Sequence, residues 1–164
     1  MYGDFVSSSI SESAKVIIMI FIGSDHRGFE LKEKLKDQLT EWGYDYEDVG
    51  PFEYNKDDDY PDFAELVGQG VVSGEGNRGV LICGSGIGVC ITANKIKSVR
   101  AGTMANPEQT KASVSDEDTN VLCLSADYTN EATSMEIAKT FLETRFSGEE
   151  RHVRRVGKIK NLEK

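Results

Sequence analysis

The chain has little positive charge to spare: 19 Lys and Arg stand against 28 Asp and Glu, for a formal charge of −9. A nucleic-acid binder that works by neutralising phosphates needs a basic face, so that class is excluded as a partner. No apolar run approaches the roughly 20 residues that a membrane helix requires, and no membrane partner is expected. Cysteines number only three, Cys83, Cys90 and Cys123. An odd count points to free thiols in a reducing compartment, and hence to a cytoplasmic protein. Histidines are scarcer still, His26 and His152 alone. Residues 1–15 are serine-rich, with neither a basic start nor an apolar centre. They read as a tail or an upstream extension rather than a signal peptide, ahead of a single domain over residues 16–164.

What is present is globular. Hydrophobic residues make up 38% and charged residues 29% of 164, enough to bury one core. Short apolar runs alternate with helical patterns. Residues 16–23 form a continuous apolar run closed by Gly23, as in a strand covered on both faces. Phe29, Leu31, Leu35, Leu39 and Trp42 recur near helical spacing, with Gly43 placed to end that helix. Further strands are expected over 44–49, 79–83, 99–104 and 120–125. Further helices are expected from Pro61 through Val71 and over 89–97, 107–114 and 130–144. Residues 50–59 read as an acidic loop and residues 148–164 as a basic tail. Strands separated by helices imply right-handed crossovers. The expected fold is a Rossmann-like α/β three-layer sandwich, doubly wound on a mostly parallel sheet. Its site should lie where the strand ends at Gly23–Gly28, Cys83–Gly88 and Ser125 converge.

The stretch VLICGSGIGVC is the most informative. A strand delivers Cys83, and Gly84, Gly86 and Gly88 then allow backbone amides to face a ligand without Cβ obstruction. A helix starting directly afterwards favours negative charge, which predicts an activated Cys83 thiol and a cradle for an oxyanion. Other glycine loops fail in detail. A Walker loop needs Gly-Lys-Ser/Thr, and a dinucleotide loop needs G-x-G-x-x-G, where this chain has G-x-G-x-G. A cysteine-phosphatase loop carries an arginine where this chain has Val89, and a thioredoxin motif carries a cysteine where it has Gly86. At the first strand end, Asp25 can accept hydrogen bonds from hydroxyls or cap the next helix, and His26 can meet phosphate or hydroxyl groups.

Together these pieces resemble the family of ribose-5-phosphate isomerase type B and galactose-6-phosphate isomerase. The likeness rests on GSDHRGFELK (Gly23–Lys32), YPDFA (Tyr60–Ala64), ICGSGIG (Ile82–Gly88), ANK (Ala93–Lys95), NVLCLSA (Asn120–Ala126) and RHVRRV (Arg151–Val156). It implies aldose–ketose isomerisation through an enediolate, with Cys83 as base and Ser85 moving protons between the two oxygens. It implies that backbone amides from Gly84 to Gly88 stabilise the enediolate. Asp25, His26, Tyr60 and Glu117 would contact the sugar phosphate, and Arg151 and Arg155 would bind its phosphate. It implies no metal and no cofactor. It also implies a homodimer or homotetramer whose sites draw on two chains. The substrate would be ribose 5-phosphate, or alternatively another pentose or hexose phosphate such as galactose 6-phosphate; a weakly active sugar-phosphate-binding subunit is the other reading. Four positions depart from the family pattern. Asp116 stands where many members open the sugar ring with a histidine, and is expected to take that role; Glu117 stands at an asparagine position. Asp127 stands where many members carry a phosphate arginine, which predicts a weaker grip there by repulsion. Arg27 stands where alanine is common.

Overall fold

The computed structural model describes residues 18–163, so the boundary expected near residue 16 lies outside the described residues. The elements run β1 (Ile20–Ser24), α1 (Phe29–Glu41), β2 (Tyr46–Asp48), α2 (Tyr60–Val72), β3 (Arg78–Cys83), α3 (Ile87–Ala93), β4 (Ala101–Thr103), α4 (Pro107–Glu117), β5 (Val121–Ser125), α5 (Glu131–Glu143) and α6 (Glu150–Lys160). Five strands form one sheet in the order β2-β1-β3-β5-β4, and every pairing is parallel. Among the described residues no helix is long and apolar enough to cross a membrane.

The layers follow from strand parity. Ile20, Ile22, Val80, Ile82, Leu122 and Leu124 point to one face and meet Leu35 and Leu39 of α1, Val114 of α4, and Ile137 and Phe141 of α5. Phe21, Leu81, Cys83, Val121 and Cys123 point to the other and meet Val67 and Val71 of α2 and Val89 and Ala93 of α3. Both faces are covered, which is why the central strands read as unbroken apolar runs rather than alternating ones. The chain leaves β1 for β2 on one side and returns to β3 on the other. That reversal opens a crevice at the carboxyl ends of β1 and β3.

Local chemistry sets the boundaries. Gly43, at φ +79°, turns the chain out of α1. Asn106 and Asn130 cap α4 and α5 by accepting the Gln109 and Thr133 amides, each at 2.8 Å. The helix expected over 89–97 begins instead at Ile87 and stops at Ala93. It stops because the Asn94 side chain brackets Ala101, accepting its amide and donating to its carbonyl, both at 2.9 Å. Asn94 thereby imitates a neighbouring strand for the edge of β4. The larger difference is α6, a helix where a basic tail was expected. Only His152 and Val156 of it are buried, and Ser147 holds the His152 ring at 2.7 Å. Val153, Val156 and Ile159 recur at helical spacing among charged residues, so the helix is amphipathic; the high charge of the stretch is what makes it read as a tail.

Lys32 is the unexpected member of the interior. Its side chain is fully buried, and its ammonium donates to both Asp48 oxygens (2.7 and 2.9 Å) and to the Pro51 carbonyl (2.7 Å). The rings of Phe29 and Phe52 flank it at 5.6 and 5.9 Å. This network ties α1 to β2 and to the loop that follows. Burial acts to raise the Asp48 carboxyl, but Lys32, Lys36 and the Gly50 amide together hold it below its ordinary 3.8. A carboxyl with a depressed folded value contributes stability that is present above its unfolded value and is lost as pH falls through the folded one. Lys32→Met should therefore cost about 3 kcal/mol at neutral pH, by leaving Asp48 partly unpaired. Urea titrations from pH 7 downward should show the gap between wild type and variant closing below about pH 4. A gap that does not change with pH would argue that lost packing, not charge pairing, is the cause.

Candidate active site

Three strand ends are stitched together around Gly84. The Ala126 amide donates to the Cys83 carbonyl (2.9 Å), and the Asp127 amide donates to the Gly84 carbonyl (3.0 Å). The Ser125 hydroxyl donates to the same Gly84 carbonyl at 2.7 Å. From the other side, the Asp25 amide donates to the Ile82 carbonyl at 3.2 Å. Gly28 packs so closely that a Cβ there would lie 2.5 Å from that carbonyl oxygen.

The turn after Cys83 depends on Gly86, whose φ of +73° lies in the left-handed region. It sends the Gly86 amide back to the Cys83 sulfur at 3.2 Å. Next, the Ile87 amide donates to Ser85 Oγ at 3.1 Å. The Thr103 hydroxyl donates to the Gly86 carbonyl at 2.7 Å, locking the turn to β4. Two amides expected to face a ligand are thus engaged inside the loop, because the left-handed residue reverses the direction of its N–H. Gly88 lies under Tyr60, whose ring would be 2.7 Å from a Cβ there.

The result is a cleft of about 310 Å³ lined by Asp25, Arg27, Tyr60, Cys83, Ser85 and Gly88, among others. Cys83 is 4% exposed at its floor. Asp25 Oδ1 accepts the Arg27 and Gly28 amides (3.0 and 3.1 Å), so it holds the turn into α1 while lining the cleft. Burial raises the Asp25 carboxyl above its ordinary 3.8, and the Gly28 amide works against it.

His26 turns the other way. Its Nδ1 meets Asp58 Oδ1 at 2.7 Å, its own amide donates to the same oxygen at 3.0 Å, and Tyr54 packs edge-on at 6.2 Å. Asp58, whose side chain is only 7% exposed, is a site-associated residue that pattern reading missed. It lies in an acidic stretch that has the composition of an ordinary loop. Asp25, His26 and Asp58 bring three possible metal-ligand atoms within 4.8 Å of one another, with the His26–Asp58 hydrogen bond and the two amides on Asp25 already using several of those atoms.

The remaining expected site residues are elsewhere in the chain. Asp116 and Glu117 end α4, just before β5, and so sit at the amino edge of the sheet, opposite Cys83. Glu117 lines a groove of about 760 Å³ beside β4 that contains neither Cys83 nor Asp25. Asp116 is 3.8 Å from the His152 ring, and Arg151 and Arg155 are exposed on α6 beside it. Within one chain these four residues do not join the cleft. Asp127 does come to it, ion-paired with Arg27 directly over Gly84.

A model of the family described as Ribose/Galactose Isomerase matches residues 20–159. The chain is 35% identical over 144 residues to ribose-5-phosphate isomerase B of Escherichia coli, covering 88% of this chain and 95% of that protein. It is similar to the crystal structure of ribose-5-phosphate isomerase B from Mycoplasma genitalium with bound ribulose 5-phosphate: TM-score 0.87, 37% identity, 91% of this chain and 98% of that one. Ribose-5-phosphate isomerase B of Clostridium thermocellum is comparably similar, with TM-score 0.85, 40% identity, and 89% and 97% coverage.

The dependence on Gly86 is directly measurable. Gly86→Ala places a Cβ in the left-handed region, 3.0 Å from the Leu124 carbonyl carbon. It should lower stability by about 1–3 kcal/mol in calorimetry. Gly157, inside α6 with nothing near its absent Cβ, is the control. There the same change should be neutral or stabilising by up to about 1 kcal/mol.

Proposed function

The chain belongs to the ribose/galactose isomerase family, and we propose that it interconverts ribose 5-phosphate and ribulose 5-phosphate, with Cys83 as the proton-transfer base. Membership carries the coarser statement, that it is a sugar-phosphate aldose–ketose isomerase. The observation that supports the finer one is Cys83 at the floor of the cleft, with Asp25 and Ser85 in the same lining.

The proposed chemistry follows from those positions. The Cys83 thiolate removes the proton from the carbon beside the aldehyde, and the electron pair moves to the carbonyl oxygen, giving an enediolate. The C2 hydroxyl proton passes to the former carbonyl oxygen, and returning the abstracted proton to the former carbonyl carbon yields the ketose. The Gly86 amide holds the sulfur in place throughout. The Ser85 oxygen already accepts the Ile87 amide, which leaves its hydroxyl proton to donate to a substrate oxygen. Asp25, raised by burial, suits a hydrogen-bonding partner for sugar hydroxyls. The reading requires no metal or nucleotide.

We also propose that the working unit is a dimer or larger, with Asp116, Glu117, Arg151 and Arg155 of one copy serving the Cys83 cleft of another. Their grouping at the edge opposite Cys83 supports this. In that arrangement Asp116 stands to protonate the ring oxygen and Arg151 and Arg155 to bind phosphate.

Two experiments test these readings. Solvent deuterium exchange at C2, followed by NMR over a panel of pentose and hexose phosphates, should be fastest with ribose 5-phosphate. It should fall by about a thousandfold or more in Cys83→Ala. Exchange that survives the substitution would remove Cys83 from the base role, and a faster hexose phosphate would reassign the substrate. For the shared site, Cys83→Ala and the double variant Arg151→Ala/Arg155→Ala should each be inactive alone. Mixed and re-equilibrated, they should recover about a quarter of wild-type activity, because a mixed dimer has one intact site. No recovery would place all the machinery within single chains.

A further inference from the structure

Arg27 is the one cation among the described residues that line the Cys83 cleft. Its guanidinium lies against the Gly84 peptide: a Cβ added to Gly84 would come within 2.5 Å of Arg27 Cζ and 2.7 Å of Asp127 Oδ2. Asp127 engages it through Nη2. A guanidinium offers five N–H donors, and among the described residues Asp127 is the single acceptor on this side chain. The side chain stays 56% exposed, so most of its donors remain available. Neighbouring carboxylates are already committed: Asp25, in the same cleft, accepts the Arg27 and Gly28 amides. Glu30 and Glu131 share an adjoining cavity with Arg27, and both pair with Lys34, at 3.2 and 2.7 Å. An exposed ion pair contributes little to stability, so its place over the turn that carries Cys83 calls for another purpose.

We propose that Arg27 is the anion-binding side chain that each chain brings to its own cleft, beside Arg151 and Arg155 from a second copy, and that Asp127 aims its guanidinium and competes with the anion for it. The inference rests on the sugar-phosphate reading above and adds which side chain within the chain receives the phosphoryl end. The planar fork of a guanidinium pairs two oxygens of a phosphoryl group at once. A phosphoryl group brings more negative charge and more acceptor oxygens than a carboxylate, so it displaces Asp127 from part of the fork. Asp127 sets the angle of approach and lowers affinity for weaker anions.

The roles of the two residues predict opposite signs. Calorimetric titration with ribose 5-phosphate, and separately with inorganic phosphate, should be run on the full chain and on Arg27→Ala, Arg27→Gln and Asp127→Asn. Both arginine variants should weaken binding about tenfold or more, and Asp127→Asn should tighten it about threefold. A mere strap over the turn is broken equally by either change, so losses in the same direction from both sides would overturn the proposal. Unchanged affinity in Arg27→Gln, which keeps a polar side chain of similar reach, would overturn it too. Thermal melting identifies any variant that fails to fold, and Arg27→Gln carries the test if Arg27→Ala does. Failure of the isomerase reading looks different. If no sugar phosphate exchanges its C2 proton yet the opposite signs persist, the anion site stands and the reaction falls. An active enzyme indifferent to both residues would overturn the anion site and leave the reaction intact.

Discussion

The site rests on the close approach of three backbone segments at the carboxyl edge of the sheet. The ends of β1, β3 and β5 exchange hydrogen bonds through the carbonyls of Ile82, Cys83 and Gly84. None of these bonds is exotic, but together they fix where Cys83 stands to within the tolerance of a hydrogen bond. The approach of β1 to β3 is possible only because Gly28 lacks a Cβ, since one there would lie 2.5 Å from the Ile82 carbonyl oxygen; the bare Gly84 makes room for the Arg27 and Asp127 side chains. Preorganisation at this edge thus comes from backbone stitching and from missing side-chain volume more than from side-chain networks.

A second layer of support stands behind the first. Lys32, buried beneath α1, binds Asp48 and the Pro51 carbonyl, and so anchors the loop that runs from β2 toward α2. The same loop carries Asp58 to His26. A buried ammonium is costly unless it is fully paired. Here three acceptor contacts and two aromatic rings surround it. The Gly23–Lys32 segment therefore has two outputs: Asp25 and Arg27 face the cleft, and Lys32 faces inward to hold the loop beside it.

Much of this was legible in the residue order, for identifiable reasons. Strands covered on both faces announce themselves as apolar runs, so β1, β3 and β5 were expected nearly in place. Glycines at a strand end announce a turn, which located Cys83 and Ser85. What was hidden depended on contacts far apart in sequence. Asp58 looks like any loop acid until the fold brings it to His26, thirty-two positions away. The helix α6 carries its apolar residues, Val153, Val156 and Ile159, at helical spacing but among so many basic ones that the stretch reads as a tail. The sides of Asp116 and Glu117 could not be read either, since their distance from Cys83 is decided by α4 running back across the sheet. The left-handed turn at Gly86 likewise redirected amides that glycine spacing alone offered to a ligand.

Arg27 and Asp127 show how two local departures can be one structural fact. Each taken alone is a substitution at an unrelated position, a hundred residues apart. Asp127 by itself would place an uncompensated anion beside a cleft meant for an anion, and Arg27 by itself would add a cation to a turn that has no acceptor for it. In the fold they meet over Gly84, and each supplies the reason for the other. The pair is neutral in sum but not in shape: the carboxylate occupies one side of the guanidinium and leaves the remainder facing the solvent and the cleft. A site built this way discriminates by competition, since an incoming anion must outbid a carboxylate already in place. That constraint acts within one chain. Arg151 and Arg155 stand at the far edge of the sheet, so a cation at the cleft must come either from a second copy or from Arg27, and Arg27 is the one that the fold itself delivers.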